Sequence, residues 1–154
     1  MSSVKLYIYD LSRGMAKLYA PMLLGQNLEG VWHSSLVVHN REIYFGQGIF
    51  SVPPGTTHLG APHRVIDLGE TELPLDVIEE YLEEVKPEWT ADRYHLFLNN
   101  CNDFSDSLAE FLVGKGIPSY VKDVARTVAG TPFGQMLMTQ LTAGGSSGAE
   151  FGAI

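Results

Sequence analysis

Cys101 is the single cysteine of the 154-residue chain, and its surroundings suit a nucleophile. It follows Asn100, a residue type that favours the N-cap position, so the sequence predicts Cys101 in the first turn of a helix. The unpaired amides and positive end of such a helix favour a thiolate and can hold an oxyanion. Asp103 and Asp106 are close in the chain and oppose this activation. Cys101 is therefore the candidate nucleophile, with a small buried apolar side chain as the alternative.

His33 is the candidate general base. It lies within residues 31–38, which are rich in β-branched and aromatic side chains and predict a strand. A histidine inside such a strand is also commonly a packed, hydrogen-bonded core residue. His95 is the competing base, but it belongs to a predicted strand at residues 94–98 that leads directly to Cys101. An extended chain there would hold His95 well away from the sulfur.

The composition restricts the cofactors and partners that we expect. The net charge is −8 and Lys and Arg form no cluster, so nucleic acid is not an expected partner. No apolar stretch reaches the ~18–20 residues that cross a bilayer, and no signal peptide is evident, so we expect a cytoplasmic and/or nuclear protein without a membrane span. The histidines lack zinc-ligand spacing, and His39, His58 and His63 are typical of surface positions. We expect neither a metal nor another cofactor.

The pattern of strands and helices predicts an α+β protein. The predicted strands are residues 4–10, 31–38, 42–45, 64–68 and 94–98, and residues 51–62 are a predicted loop. The predicted helices are residues 15–19, interrupted by Pro21, then 75–85 and 100–113, with a last one opening at Thr131-Pro132. Because strands and helices do not alternate regularly, we expect a mostly antiparallel sheet.

Several motifs, taken together, resemble the PPPDE cysteine peptidases and, within them, the desumoylating isopeptidase branch. In chain order they are residues 5–12 (KLYIYDLS), 30–33 (GVWH), 44–46 (YFG), 100–102 (NCN), 111–118 (FLVGKGIP) and 131–135 (TPFGQ). They are collinear from about residue 4 to residue 141, and this order is more specific than any single motif.

The resemblance implies a circularly permuted papain-like fold, a sheet or barrel packed with helices, in which the strand of His33 precedes the helix of Cys101. It further implies a Cys101–His33 dyad that cleaves the isopeptide bond between a ubiquitin-like modifier, of SUMO or ubiquitin type, and a lysine. A homodimer with the active site in a groove near the interface is also implied. The resemblance then places the peptidase domain at residues 1–141 and a flexible Gly/Ser tail at 142–154. Some fungal relatives carry an additional thioredoxin-like domain. The chain is therefore also compatible with being one part of a longer polypeptide.

The remaining site residues are weaker candidates. Asn99 and Asn100 are candidate oxyanion or orienting side chains, although capping also accounts for Asn100. Trp32 is a candidate wall of the substrate groove, but strand alternation turns it away from His33, so packing is an equal alternative. The strand that pairs with the histidine strand offers Ile43, Tyr44 and Phe45, none of which carries a carboxylate or carboxamide, so we expect a dyad without a third group.

Two other functions stay open at this point. The same thiolate chemistry suits an acyl-protein thioesterase, which an apolar groove beside Cys101 would favour. A non-catalytic module that binds ubiquitin-like proteins, with a buried Cys101, is the other alternative.

Overall fold

The strands form one antiparallel sheet. The computed structural model describes residues 1–95, 99–132 and 135–136. In these ranges the strands are β1 (Ser2–Asp10), β2 (Trp32–Val38), β3 (Arg41–Phe45), β4 (Ile49–Val52) and β5 (Arg64–Thr71). Their order across the sheet is β4-β3-β2-β1-β5, and every neighbouring pair is antiparallel. The strand that carries His33 is therefore central, between β1 and β3.

Helices complete the architecture. In the described ranges the α-helices are α1 (Met15–Leu24), α2 (Leu75–Val85), α3 (Cys101–Val113) and α4 (Ser119–Ala129). The α3 helix packs on β2, β3 and β5. Strands and helices together confirm the α+β class with an antiparallel sheet, and α2 has the predicted bounds. No helix in the described part of the chain is both long and apolar enough to cross a bilayer.

Side chains at both ends fix the bounds of α3. The Asn100 side-chain oxygen accepts from the backbone N–H groups of Asn102 (2.9 Å) and Asp103 (3.2 Å), and the Asp103 carboxylate accepts from the Asn100 N–H (3.0 Å). This reciprocal capping box satisfies amides that the first turn leaves unpaired. Gly114 ends the helix with a left-handed φ of 78°. The predicted N-cap and helix stop are both confirmed.

The core lies between the sheet and α3. Leu6, Leu36, Phe45, Phe104 and Leu108 are each at most 1% exposed and belong to one apolar cluster. Burial of each such side chain contributes roughly 1.5–3 kcal/mol. This packing seats the first turn of α3 against the strand of His33.

Three sequence predictions about elements are wrong. The α1 helix continues through Pro21, whose exposed position lets water reach the carbonyl that loses its hydrogen bond. Residues 51–52, predicted as loop, belong to the short edge strand β4, where pairing with β3 overrides a weak pattern. The α4 helix was not predicted, although its apolar residues Val121, Val124 and Val128 recur at helical spacing and Pro118 precedes its first turn.

Two predictions fall partly outside the described ranges. Of the predicted strand at 94–98, residues 96–98 are not described, but His95 and Asn99 exchange two backbone hydrogen bonds of 3.0 Å. His95 is therefore paired directly with Asn99, two residues before Cys101, and this pairing does not support the expected separation of His95 from the sulfur. The predicted tail at 142–154 and most of the last helix also lie outside, although Gln135 N–H donates to the Thr131 carbonyl in a helical turn.

Candidate active site

Cys101 is the first residue of α3 and is 5% exposed. Three backbone amides, those of Ser34, Asn102 and Cys101 itself, act to stabilise negative charge on its sulfur. The Ser34 amide is the peptide group that links His33 to Ser34, so the thiol lies against the strand that carries the candidate base. Helix start and histidine strand thus meet at the sulfur.

Asn102 joins α3 to two neighbouring elements and was not among the predicted site residues. Its side-chain NH₂ donates to the carbonyl oxygens of Trp32 (2.8 Å) and Val121 (3.3 Å), and its side-chain oxygen accepts from the Ser34 hydroxyl (2.7 Å). All four of the residue's side-chain contacts, including a weak one from the Cys101 thiol at 3.8 Å, are buried. Asn102 therefore fixes where the sulfur lies relative to β2. A carboxamide next to the cysteine on a buried helix face was the available sequence signal.

The His33 imidazole lies on the sheet face opposite to Trp32, as strand alternation predicts. Its ring packs between those of Tyr9, at a centroid distance of 5.8 Å, and Tyr44, at 5.6 Å. His33 is 3% exposed. Burial, with a smaller effect from the charge of His58, lowers its pKa to about 4. Within the described residues the ring makes no hydrogen bond to the thiol, and the strand amide that acts on the sulfur is that of Ser34.

The resting thiol is protonated. Burial raises the pKa of Cys101 to about 11, and the Asp103 charge adds to the rise while the three amides oppose it. The expectation that the helix start favours a thiolate is therefore wrong for the resting protein, because desolvation outweighs the amides. At neutral pH the two candidate groups are a neutral thiol and a neutral imidazole.

An apolar cleft of about 360 Å³ opens beside the thiol. Helices α1 and α4 form much of its walls, and the lining includes Met15, Tyr19, Leu23, Val124 and Val128 together with Cys101. Such a lining suits an apolar or backbone-rich ligand segment.

Tyr94 lines the same cleft and was not singled out from the sequence. Burial and then negative charge on Cys101 raise the pKa of its phenol. The phenol therefore stays protonated and can donate a hydrogen bond toward the cleft.

Trp32 lies between this cleft and a larger one of about 1220 Å³, and it lines both. Its indole packs on His63, at a ring-centroid distance of 5.4 Å, and on Tyr120, at 6.4 Å. The larger cleft carries both charge signs, with Asp10 and Arg64 among its walls. Trp32 is therefore a packed residue, 7% exposed, that also lines both clefts, and its role as a wall of the substrate groove stays a prediction.

The two asparagines before Cys101 have structural partners. Asn100 caps α3, and the Asn99 side chain donates to the Arg93 carbonyl at 2.9 Å. In the described residues, no group of three His, Cys, Asp or Glu side chains is arranged to hold a metal ion.

Glu42 corrects the view that the partner strand lacks an acid. It belongs to β3, and its carboxylate is fully buried on the His33 side of the sheet. It accepts from the Tyr9 and Ser35 hydroxyls, each at 2.5 Å. No bond joins it directly to His33 among the described contacts, so the imidazole has no bonded acid.

A buried cysteine at a capped helix start, set against a histidine strand and beside a cleft, defines a cysteine-hydrolase type of site. The chain matches the model of the family described as "PPPDE putative peptidase domain" over residues 2–142. It belongs to that family, and the activity class is that of a cysteine peptidase.

Three proteins illustrate the likeness. Desumoylating isopeptidase 1 of Homo sapiens is 49% identical over 136 residues, which cover 87% of this chain and 81% of the human protein. Desumoylating isopeptidase 1 of Xenopus laevis is 46% identical, with 87% and 80% covered. The DeSI-like protein sdu1 of Schizosaccharomyces pombe is 30% identical over 105 residues, with 63% and 52% covered.

Proposed function

We propose that this chain is an isopeptidase that removes a ubiquitin-like modifier, of SUMO or ubiquitin type, from lysine, with Cys101 as nucleophile and His33 as base. The observation that carries the proposal is the position of the Cys101 thiol at the start of α3, where the backbone amide of Ser34, the residue next to His33, acts on the sulfur. The names of two vertebrate relatives, both desumoylating isopeptidase 1, support the isopeptide bond as the bond that is cleaved. The order of His strand before Cys helix supports a permuted papain-like arrangement.

In the resting chain the His33 ring faces the side of the sheet opposite to the cleft, so the mechanism requires the start of β2 to rearrange and bring the imidazole to the sulfur when the modifier tail enters the cleft. His33 then takes the thiol proton, and the sulfur attacks the isopeptide carbonyl. The N–H of Cys101 at the helix start holds the oxyanion. His33-H⁺ protonates the departing lysine amine, and water hydrolyses the thioester with His33 again as base. The chemistry needs no cofactor.

The raised pKa of Cys101 fits an enzyme that activates its thiol only with substrate bound. A neutral resting pair reacts slowly with small electrophiles, because the thiolate is the nucleophile. Transfer of the proton to His33 within the bound complex then supplies the thiolate.

A panel of modifiers with electrophilic C-termini tests the proposal. We expect covalent labelling of the native chain by at least one SUMO-type or ubiquitin-type probe and no labelling of Cys101→Ser. Iodoacetamide should label native Cys101 at least ~100-fold more slowly than a free thiol, because the raised pKa of Cys101 leaves little thiolate at neutral pH. If no modifier probe labels faster than iodoacetamide, the isopeptidase proposal fails.

A second candidate function is acyl-protein thioesterase. The observation that favours it is the apolar lining of the 360 Å³ cleft into which Cys101 opens. A palmitoyl thioester and a modifier-linked lysine, assayed side by side, separate the two, and Cys101→Ser is the control for both.

The homodimer is also a proposal. The α1 helix exposes apolar side chains beside the cleft, including Leu18 (67%) and Met22 (74%), and such a surface supports contact with a second protein. Light scattering of the native chain and of Leu18→Glu tests whether that protein is another copy of the chain.

A further inference from the structure

Glu42 is a fully buried carboxylate that the dyad does not use. Besides the Tyr9 and Ser35 hydroxyls at 2.5 Å, it accepts the backbone N–H of Gly55 at 2.9 Å. Among the described residues all its partners are neutral donors and none is a cation. Three donors compensate a charge whose burial is otherwise costly. An acid held in this way is built into the fold, so its proximity to the dyad calls for a role.

Tyr9 links this carboxylate to the base. It lies directly opposite His33 in the pairing of β1 with β2, and the two rings pack with a tilt of 46°. The Tyr9 hydroxyl donates to Glu42 while its ring face supports the imidazole. Tyr44 closes the other side edge-on, at 79°, and is itself stacked on Phe50. The imidazole is therefore enclosed by two rings, one of which is anchored by a buried charge.

We propose that Glu42, acting through Tyr9, is the positioning residue for His33 and replaces the Asn or Asp that is bonded to the histidine in catalytic triads. The inference depends on the proposed function, because it takes His33 as the base. The third member of a triad orients the imidazole and stabilises the imidazolium. Here the ring of Tyr9 orients the imidazole, and the Glu42 carboxylate, bonded to the Tyr9 hydroxyl, favours the imidazolium.

The Glu42 charge favours one of the two protonation states of His33. When His33 takes the thiol proton it becomes a cation in a buried environment, where a carboxylate on the same face of the sheet favours the cation over the neutral ring. The titratable groups against the ring are Tyr9 from β1 and Tyr44 from β3. Glu42 of β3 lies behind Tyr9 on the same face of the sheet, and His58 acts from the loop after β4. Glu42 favours the cation and a charged His58 opposes it. Removal of the Glu42 charge therefore makes protonation of His33 harder.

The variants Glu42→Gln and Tyr9→Phe separate positioning from plain stability. Glu42→Gln keeps the shape and removes the charge, and Tyr9→Phe keeps the ring and removes its anchor. Tyr7→Phe is the matched control, on the same strand and face, with no hydroxyl bond among the described contacts. Ser35→Ala removes a donor that acts on both Glu42 and the Tyr9 hydroxyl and keeps the Glu42 charge, so Tyr9→Phe carries the test if Glu42→Gln does not fold.

Two readouts are compared on folded protein. The first is kcat and KM for a modifier–lysine conjugate across pH, where we expect a fall in kcat of about tenfold for Glu42→Gln and less for Tyr9→Phe, with KM within about twofold. The acid limb of the profile moves to lower pH. The second is the NMR titration of the His33 ring, which we expect to move to lower pH in Glu42→Gln whether or not a substrate is cleaved. Tyr7→Phe leaves both readouts as in the wild type.

The outcomes distinguish the two proposals. If the wild type cleaves conjugates but Glu42→Gln and Tyr9→Phe keep its kcat, pH profile and His33 titration, the positioning role is overturned and the isopeptidase stands. If the His33 titration moves as expected but the wild type cleaves no conjugate and takes no probe, the isopeptidase fails while the electrostatic link remains supported. A loss of stability alone, with unchanged kcat per folded molecule, also overturns the positioning role.

Discussion

The side-chain amide of Asn102 donates to the backbone carbonyl of Trp32 at 2.8 Å, in a bond between residues 70 positions apart. The same side chain accepts from Ser34 and donates to Val121. One carboxamide therefore ties the first turn of α3 to β2 and to α4. The position of the Cys101 sulfur depends on this residue as much as on the capping of the helix.

Replacement of Asn102 by Ala leaves a buried hydroxyl and two buried carbonyls without their partner. We expect a loss of about 2–4 kcal/mol in the free energy of unfolding, because each unpaired buried group costs about 1–3 kcal/mol and the site relaxes in part. Urea unfolding measures it. Asn99→Ala is the matched control, since its bond to the Arg93 carbonyl is exposed, and its loss stays under about 1 kcal/mol. Equal losses in both variants contradict the role assigned to Asn102.

The buried His33 makes stability depend on pH. Its pKa is lowered to about 4 in the folded chain, below the ordinary value of 6.5, so between these values the unfolded chain binds the proton more readily. Stability is full above about pH 6.5 and falls, by up to about 3 kcal/mol, as the pH drops through 4. Chemical unfolding at pH 7, 5.5 and 4.5 measures this. His33→Gln removes this part of the pH dependence. The control His63→Gln replaces an exposed histidine instead, and we expect it to keep the pH dependence.

Gly30 leaves no room for a side chain. A Cβ there comes within 2.6 Å of two Trp32 ring carbons and 3.1 Å of the Asp10 carboxyl carbon. Gly30→Ala therefore displaces the indole between the clefts, and we expect a destabilisation of about 1–3 kcal/mol with altered Trp32 fluorescence, read in a Trp89→Phe background. Gly130→Ala meets only ordinary contacts of 3.5 Å or more and stays near wild type. An unchanged emission spectrum in Gly30→Ala argues against the described contact.

The cleft beside Cys101 can be filled without replacing Cys101 or His33. Ala125 lines it from α4, and Ala125→Phe places a ring in the space of about 360 Å³. If long acyl chains occupy the cleft, we expect hydrolysis of a palmitoyl thioester to fall by at least about tenfold, or 1.4 kcal/mol of lost transition-state binding. Ala129→Phe, on the same helix but outside the lining, is the control. Retained palmitoyl hydrolysis in Ala125→Phe excludes this cleft as the acyl site.

Local signals in the sequence predicted the parts of the fold that short-range chemistry determines. The N-cap Asn100 and the stop at Gly114 fixed α3, and the prolines at 74 and 87 bracketed α2, whose bounds were predicted without error. The same kind of local signal gave a wrong prediction at Pro21. Proline usually ends a helix because it lacks an N–H donor, but at this exposed turn α1 tolerates the missing donor and continues.

The electrostatics of the site were not predictable from local signals. Helix position alone indicated a lowered pKa for Cys101, yet burial by α1, α4 and the sheet raises it. Glu42 was passed over because nothing in its immediate sequence shows that Tyr9, Ser35 and Gly55 converge on it. Such convergence is a property of strand pairing, which only the folded chain reveals.

Strand β2 presents Trp32 to the clefts and His33 to the opposite face through adjacent residues. Insertion or deletion of a single residue at the start of β2 would exchange these two faces and send the imidazole into the cleft wall and the indole among the tyrosines. Length variation is consequently tolerable in the connection that leads from α1 to Gly30 but forbidden within the few residues that follow it. The alternation of side chains along β2 therefore determines which face of the sheet Trp32 and His33 each occupy.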